Sequence, residues 1–279
     1  MRSHKKITLT VLTALVVSLV SLVTLSGRGQ NRANARKSSV VVLRRQDQLA
    51  TPPTRREIAE AKQAPADYAA QEPADPAKRA GLRARSKRYD RQGMVTPPNP
   101  RAGGTETKRI AGWLRKLPAL PVETSDAVVI GEVTDAQSHL SNDKTGVYTE
   151  FTVLVGEVLK NQSAAPLAPS AALTVQRDGG RVLFPSGSVH SYSFHFQGMP
   201  AAGRQYVLFL KRNEDGETFY VRTAYELRAG RVFPVDGVDL PPGATELPQF
   251  ASYKGADQAA FLGEVRAAIS AASAANRGR

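Results

Sequence analysis

Hydrophobic positions fall into three regimes along the chain. From Ile7 to Leu25 they form a run of 19 residues unbroken by any charge. From Gly27 to Thr107 they are sparse and interrupted by proline, and from about Lys108 onward they return in short alternating stretches separated by glycine and aspartate.

The first regime follows Arg2, Lys5 and Lys6. A cleaved export signal has an apolar core of roughly 7–15 residues, whereas a spanning helix needs about 20, so this run matches a membrane helix. Thr24 and Ser26 form a poor small-x-small pair, and Arg28 follows at once. Residues 1–26 are therefore expected to be a signal anchor rather than a cleaved signal peptide, with residues 7–25 in the membrane. The six-residue head stays in the cytoplasm, although Arg28, Arg32, Arg36 and Lys37 compete with it under the positive-inside rule. The expected location is a single-pass membrane protein with an extracytoplasmic C-terminal domain, the alternative being a secreted protein after signal cleavage.

The second regime, residues 27–107, is rich in Arg, Ala and Pro, with Pro52, Pro53, Pro65, Pro73, Pro76, Pro97, Pro98 and Pro100 spread through it. Such a composition buries too little apolar area to offset the entropy of ordering, and a disordered basic linker is expected. Ser38 to Leu43 (SSVVVL) and Thr54 to Gln63 suit transient local structure. Lys78 to Arg91 (KRAGLRARSKRYDR) carries seven positive charges against one negative and is read as a solvated spacer, with anionic lipid, nucleic acid or an acidic envelope polymer as the functional alternative.

In the third regime, Ile110, Trp113, Leu114 and Leu117 recur at helical spacing ahead of Pro118, predicting an amphipathic helix over residues 108–117. Seven strands follow, at Ala127 to Thr134, Val147 to Lys160, Ala172 to Gln176, Ser188 to Phe196, Arg204 to Lys211, Thr218 to Arg222 and Arg231 to Val235. Turn chemistry at Asn142 to Gly146, Asp178 to Gly180 and Asn213 to Gly216 implies antiparallel connections. In the long second strand the apolar series Phe151, Val153, Val155 changes parity at Gly156 and resumes at Val158, which a bulge at Gly156 would restore. Phe261, Leu262, Val265 and Ile269 predict a helix over Ala256 to Ala272. The expected fold class is all-β with flanking helices, divided into a domain at 108–240 and a C-terminal helix and tail at 241–279.

The stretches SDAVVIGEV (Ser125 to Val133), VYTEFTVLVGEVL (Val147 to Leu159), GRQYVLFL (Gly203 to Leu210) and the strand ending Gly230-Arg231-Val232-Phe233 carry a resemblance. Together they look like the small OB-like barrel of many secreted bacterial proteins, similar in outline to the netrin and tissue-inhibitor-of-metalloproteinase fold. The resemblance covers roughly Ser125 to Gly237 and implies a five-stranded barrel with helices at its ends. It transfers no functional residue, because inhibitors of that fold chelate zinc through an N-terminal cysteine amine and this chain has no cysteine.

The absence of cysteine also removes disulfides, thiol nucleophiles and cysteine-ligated metals. The net charge of +13 resolves to +3 over residues 1–26, +9 over 27–107 and +1 over 108–279, so the basicity sits outside the expected β domain and nucleic acid is an improbable partner. Of the four histidines, His4, His139, His190 and His195, only the last two are close in sequence, and these read as ordinary polar-face histidines rather than metal ligands. Ser186, Ser188, Ser191 and Ser193 lack a nucleophile-elbow context, while Asp143, Asp178, Asp215 and Asp236 read as turn residues rather than calcium ligands. Tyr192, Phe194 and Phe196 alternate along residues 189–196, as core filling or as an aromatic binding face. No catalytic, cofactor-binding or metal-ligating residue is assigned, no cofactor is called for, and an enzyme is not expected. The reading is a membrane-tethered extracytoplasmic protein whose β-barrel module binds a protein or envelope polymer; an envelope-acting hydrolase and a structural spacer are the alternatives.

Overall fold

The structure is a computed structural model describing residues 63–98, 104–110, 116–162, 166–240 and 243–277. The described residues all belong to one compact unit, Thr51–Arg279. The expected membrane segment, residues 7–25, lies outside them, as do residues 38–43. Among the described residues no helix is long and apolar enough to cross a membrane.

Strand dominates, with helices at the flanks. In chain order the elements are β1 (Ala66–Asp67), α1 (Pro76–Ser86) with a 3-10 turn at Lys87–Tyr89, β2 (Thr105–Ile110), β3 (Ala127–Leu140) and β4 (Val147–Asn161). There follow β5 (Ala172–Asp178), β6 (Gly180–Leu183), β7 (Val189–Phe194), β8 (Arg204–Arg212), β9 (Phe219–Arg228) and β10 (Arg231–Pro234). A short helix α2 (Pro248–Ala251), β11 (Ala256–Asp257) and α3 (Gln258–Arg277) complete the chain.

In the larger sheet β3 pairs antiparallel with β4, β4 with β5, β8 with β9, and β8 back with β3. β5 and β9 meet in parallel over two residue pairs, Val175 with Phe219 and Gln176 with Tyr220, so the pairings return to their starting strand. All five strands send side chains to one apolar cluster: Val129 and Ala136, Phe151 and Val153, Leu173 and Val175, Leu208 and Leu210, Val221 and Ala224. Alternate residues of β3 and β8, among them Val128, Ile130, Val207 and Phe209, point the other way into a second cluster capped by Phe261 and Val265 of α3. That explains why β8 reads as apolar on both faces. α3 starts where Asp257 Oδ1 accepts from Ala260 N at 3.0 Å, an N-cap bond.

The β3–β4 ladder passes over Gly156, pairing Ile130 with Glu157 and Gly131 with Val155. The bulge does what the sequence pattern asks, for Val158 rejoins Val153 and Val155 against the first cluster. Inside the same circuit Arg177 of β5 is fully buried, and its Nη2 donates to Asp236 Oδ2 at 2.5 Å. Asp236 Oδ1 accepts from Gly198 N at 2.9 Å, while Arg177 Nε and Nη1 have no hydrogen-bond partner.

A second sheet, in the order β1-β6-β7-β2, corrects two expectations. Residues 105–110 form a strand paired in parallel with β7, where a helix over 108–117 is expected; residues 111–115 lie outside the described set. Over residues 105–110 the open backbone edge of β7 overrides the local helical pattern, and His195 N donates to Ile110 O at 2.7 Å just beyond the ladder. The larger correction concerns the linker: within 27–107, residues 63–98 are folded against the sheet. Asp75 caps α1 by accepting from Ala77 N at 2.8 Å, with Pro76 at the first helical position, where proline is favoured rather than disruptive. The folded part thus begins well before residue 108.

Candidate functional site

Residues 63–98 form a strap: β1 pairs with β6 of the second sheet, and residues 85–92 cross one face of the larger sheet. Pairing aligns the outward side chains there into two cross-strand rows: His139, Tyr148 and Asp178 from β3, β4 and β5, and Gln137, Glu150, Gln176 and Tyr220 from β3, β4, β5 and β9. These alternate with the inward Phe151, Val175 and Val221, so the pleat that fills the core also lays out this polar, aromatic surface.

The strap meets the rows side chain by side chain. Tyr89, fully buried, stacks on Tyr148 with ring centroids 4.0 Å apart and planes 6° from parallel, and its hydroxyl donates to Gln176 Oε1 at 3.1 Å. Ser86 and Tyr148 share a hydroxyl bond of 2.9 Å. Arg85 Nε donates to Glu150 Oε1 at 3.0 Å, the same oxygen that takes Gln176 Nε2 at 2.9 Å. The Arg88 guanidinium lies 4.1 Å from the Tyr220 ring centroid and donates to Asn213 Oδ1 at 2.6 Å. Gln92 Nε2 reaches Asp178 Oδ1 at 3.3 Å, and Tyr220 donates to Asp178 Oδ2 at 2.6 Å.

The β3–β4 loop holds the strap's far end. Asp90 Oδ1 accepts from Asn142 N at 2.8 Å, and Arg91 N donates to Asp143 Oδ2 at 2.7 Å. Gly146 is required by close approach: a Cβ there would stand 2.1 Å from the Tyr89 carbonyl oxygen. The basic run read as a solvated spacer is thus largely committed to internal contacts, with Arg79 bonded to Pro73 O and Arg83 to Glu72 as well.

Two cavities flank the strap. One of about 370 Å³ is lined by Arg79, Arg83, Ser86, His139, Asn142 and Lys144, among others; the other, about 560 Å³, includes Arg85, Lys87, Arg88, Gln176, Asn213 and Asp215. Burial, helped by Asp178, pushes the Tyr89 and Tyr220 hydroxyls well above the usual phenol range, and burial with Glu150 does the same to Tyr148. These groups stay protonated at neutral pH and act as donors and stacking surfaces. Burial also lowers the His139 pKa, against the pull of Glu150, whose Oε2 is 3.5 Å from His139 Nε2. Hydrogen bonds from Ser141 and the Thr145 amide hold Asp143 below the ordinary carboxylate range. The ensemble can recognise cations, aromatic rings and hydrogen-bonding groups.

The other residues singled out in the sequence are scattered. His190 is buried edge-on to Phe184 at 5.0 Å and 3.5 Å from Glu106; His195 sits against Phe196 at 4.1 Å. Tyr192 and Phe196 enter different apolar clusters. Ser186 and Ser188 bond each other across a turn at 2.8 Å. Asp215 caps its turn through Glu217 N and Thr218 N, each at 2.9 Å. Among the described residues no group of three or more histidines and carboxylates is gathered as for a metal. The face's own residues were not singled out apart from His139 and Asp178, although Asp75-Pro76, a helix-start signature, marks the strap. The chain matches no protein-family model, and no curated protein matches it either.

Proposed function

We propose that this chain is a membrane-tethered extracytoplasmic protein, held by residues 7–25, whose domain is an OB-like barrel that binds a macromolecular partner through the face spanning β3, β4, β5 and β9. The barrel reading is supported by the pairing order β3-β4-β5-β9-β8, which returns to β3 around a shared apolar cluster. The observation that carries the binding reading is the double row of Tyr148, Glu150, Gln176, Asp178 and Tyr220. Gln176 and Glu150, and Tyr220 and Asp178, are bonded to each other within these rows, so the tyrosines and carboxylates form a prearranged lattice that recognises a ligand with little reorganisation.

Two measurements test the proposal. Intact mass and membrane fractionation of the full chain with a C-terminal tag should give an uncleaved protein in the membrane pellet; a shortened soluble product overturns the tether. A photocrosslinking residue at exposed Glu214, on the rim of the larger cavity, should trap a discrete adduct in cells that make the protein. Absence of any adduct overturns binding at this face.

A further inference from the structure

We propose that the face recognises an arginine- and tyrosine-bearing peptide in a partner protein, and that residues 85–91 of the strap (RSKRYDR) occupy it in cis until such a peptide displaces them. The inference rests on the binding reading above and names its partner class.

Three observations carry it. First, residues 85–91 add no side chain to any of the three apolar clusters, while the strap on either side of them is anchored by β1 pairing with β6 and by the Met94 and Val95 amides on Thr145 O. Neither of the two larger apolar clusters contains a residue from 63–98; only the third, smaller cluster takes Val95, with Tyr68 and Met94 against it. Second, the contacts select side-chain types. Glu150 takes the Arg85 guanidinium, the Tyr220 ring and Asn213 together take that of Arg88, and Tyr148 with Gln176 fits an aromatic ring bearing a hydroxyl. A planar cation and a phenol satisfy these sites at once, and a lysine or an aliphatic residue satisfies neither as fully. Third, removing the strap uncovers Glu150 and Asp178 beside two bare tyrosine rings, a surface of the opposite charge to the segment that covers it.

Occupation in cis sets the arithmetic. A tethered segment sits at an effective concentration on the order of 1 mM, so a peptide with an intrinsic Kd of about 1 µM leaves roughly 0.1% of the face free. A partner then engages only at high local concentration or after the strap is cut. Releasing the strap should strengthen peptide binding by anything up to about 1000-fold.

The test is fluorescence anisotropy of a labelled peptide of residues 82–92 (LRARSKRYDRQ) on the full chain in non-ionic detergent. The Arg88→Ala/Tyr89→Ala variant should bind it at least tenfold more tightly than the unaltered chain. Adding Glu150→Gln and Tyr220→Ala should abolish that gain, and so should alanine at the peptide's arginines and tyrosine. A folded double variant that binds no better than the unaltered chain overturns the proposal. Should that variant fail to fold, a protease site placed in residues 99–103 allows cutting after folding, and the labelled peptide must then exchange onto the face; failure to exchange in excess peptide over a day is equally fatal. A crosslinked adduct at Glu214 alongside a peptide that never binds would retain the binding face and refute this partner class alone.

Discussion

The Arg177–Asp236 pair allows the energetics of the enclosed core to be worked out and checked. Both side chains are fully buried, Arg177 has one charged partner, and Asp236 also serves Gly198 N. Asp236→Asn keeps the shape and the oxygen facing Gly198 but strands the guanidinium without a counter-charge, a change that costs about 3–5 kcal/mol. At about 2–4 °C per kcal/mol for a domain of this size, Tm should fall by about 6–20 °C. Arg177→Met with Asp236→Leu removes both charges, which by itself is neutral or stabilising by about 1–4 kcal/mol, but it orphans the Gly198 amide at about 1–3 kcal/mol. The double variant should therefore stay within about 3 kcal/mol of the unaltered chain and be more stable than Asp236→Asn. Urea unfolding at pH 7 followed by far-UV circular dichroism, with equal m-values, measures all three. If the double variant proves as unstable as the single, or if Asp236→Asn costs under about 1 kcal/mol, the pair does not carry the electrostatic role assigned to it.

Gly146→Ala should cost about 1–3 kcal/mol by overpacking against the Tyr89 carbonyl. The loss should be local: amide exchange should accelerate over residues 76–95 and stay unchanged in β8 and β9. His139 has a folded-state pKa below its ordinary 6.5, so its contribution is whole above that value and is lost as pH falls through the folded pKa. Melting from pH 7.5 to 5 should show a smaller decline for His139→Gln than for the unaltered chain, and parallel curves would contradict the assignment. Tyr220 lies on the opposite side of its reference: raised above about 10, its stabilisation is whole below that pH and fades as pH climbs through the folded value. Ultraviolet titration should find Tyr148 and Tyr220 ionising at lower pH once the strap is released by Arg88→Ala/Tyr89→Ala.

Elements that place apolar side chains at a regular period were readable from the sequence. The seven expected strands each have a counterpart, and the parity change at Gly156 is enough to locate a bulge. β3 and β9 run further than expected, to Leu140 and Arg228, because polar residues there look like loop: Gln137 and His139 lie opposite Glu150 and Tyr148, and Glu226 is ion-paired to Arg204. β2 (TETKRI) and the two-residue β1 carry too little hydrophobic pattern to be read as strands, and backbone pairing with β7 and β6 places them. The mean character of the strap is that of a disordered chain, and a few features dock it: the β1–β6 pairing, Val95 in the third cluster, the buried Tyr89 ring and directed side-chain bonds. The face was invisible because its two rows draw on four strands, and periodicity within one strand does not say which strands are neighbours.

The parallel pairings of the second sheet bear on the order in which the chain is made. β1 and β2 leave the ribosome first, yet their partners β6 and β7 are complete only at Phe194, about 80 residues after Ile110. At roughly 5–20 residues per second, β2 waits about 4–16 s with an unsatisfied edge. A waiting strand is an invitation to aggregate if it is long and greasy, and these are not: one is two residues, and three of the six residues of the other, Glu106, Lys108 and Arg109, are charged. The polarity that hid these strands from a reading by hydrophobic pattern is what lets a nascent chain carry them safely until their partners arrive.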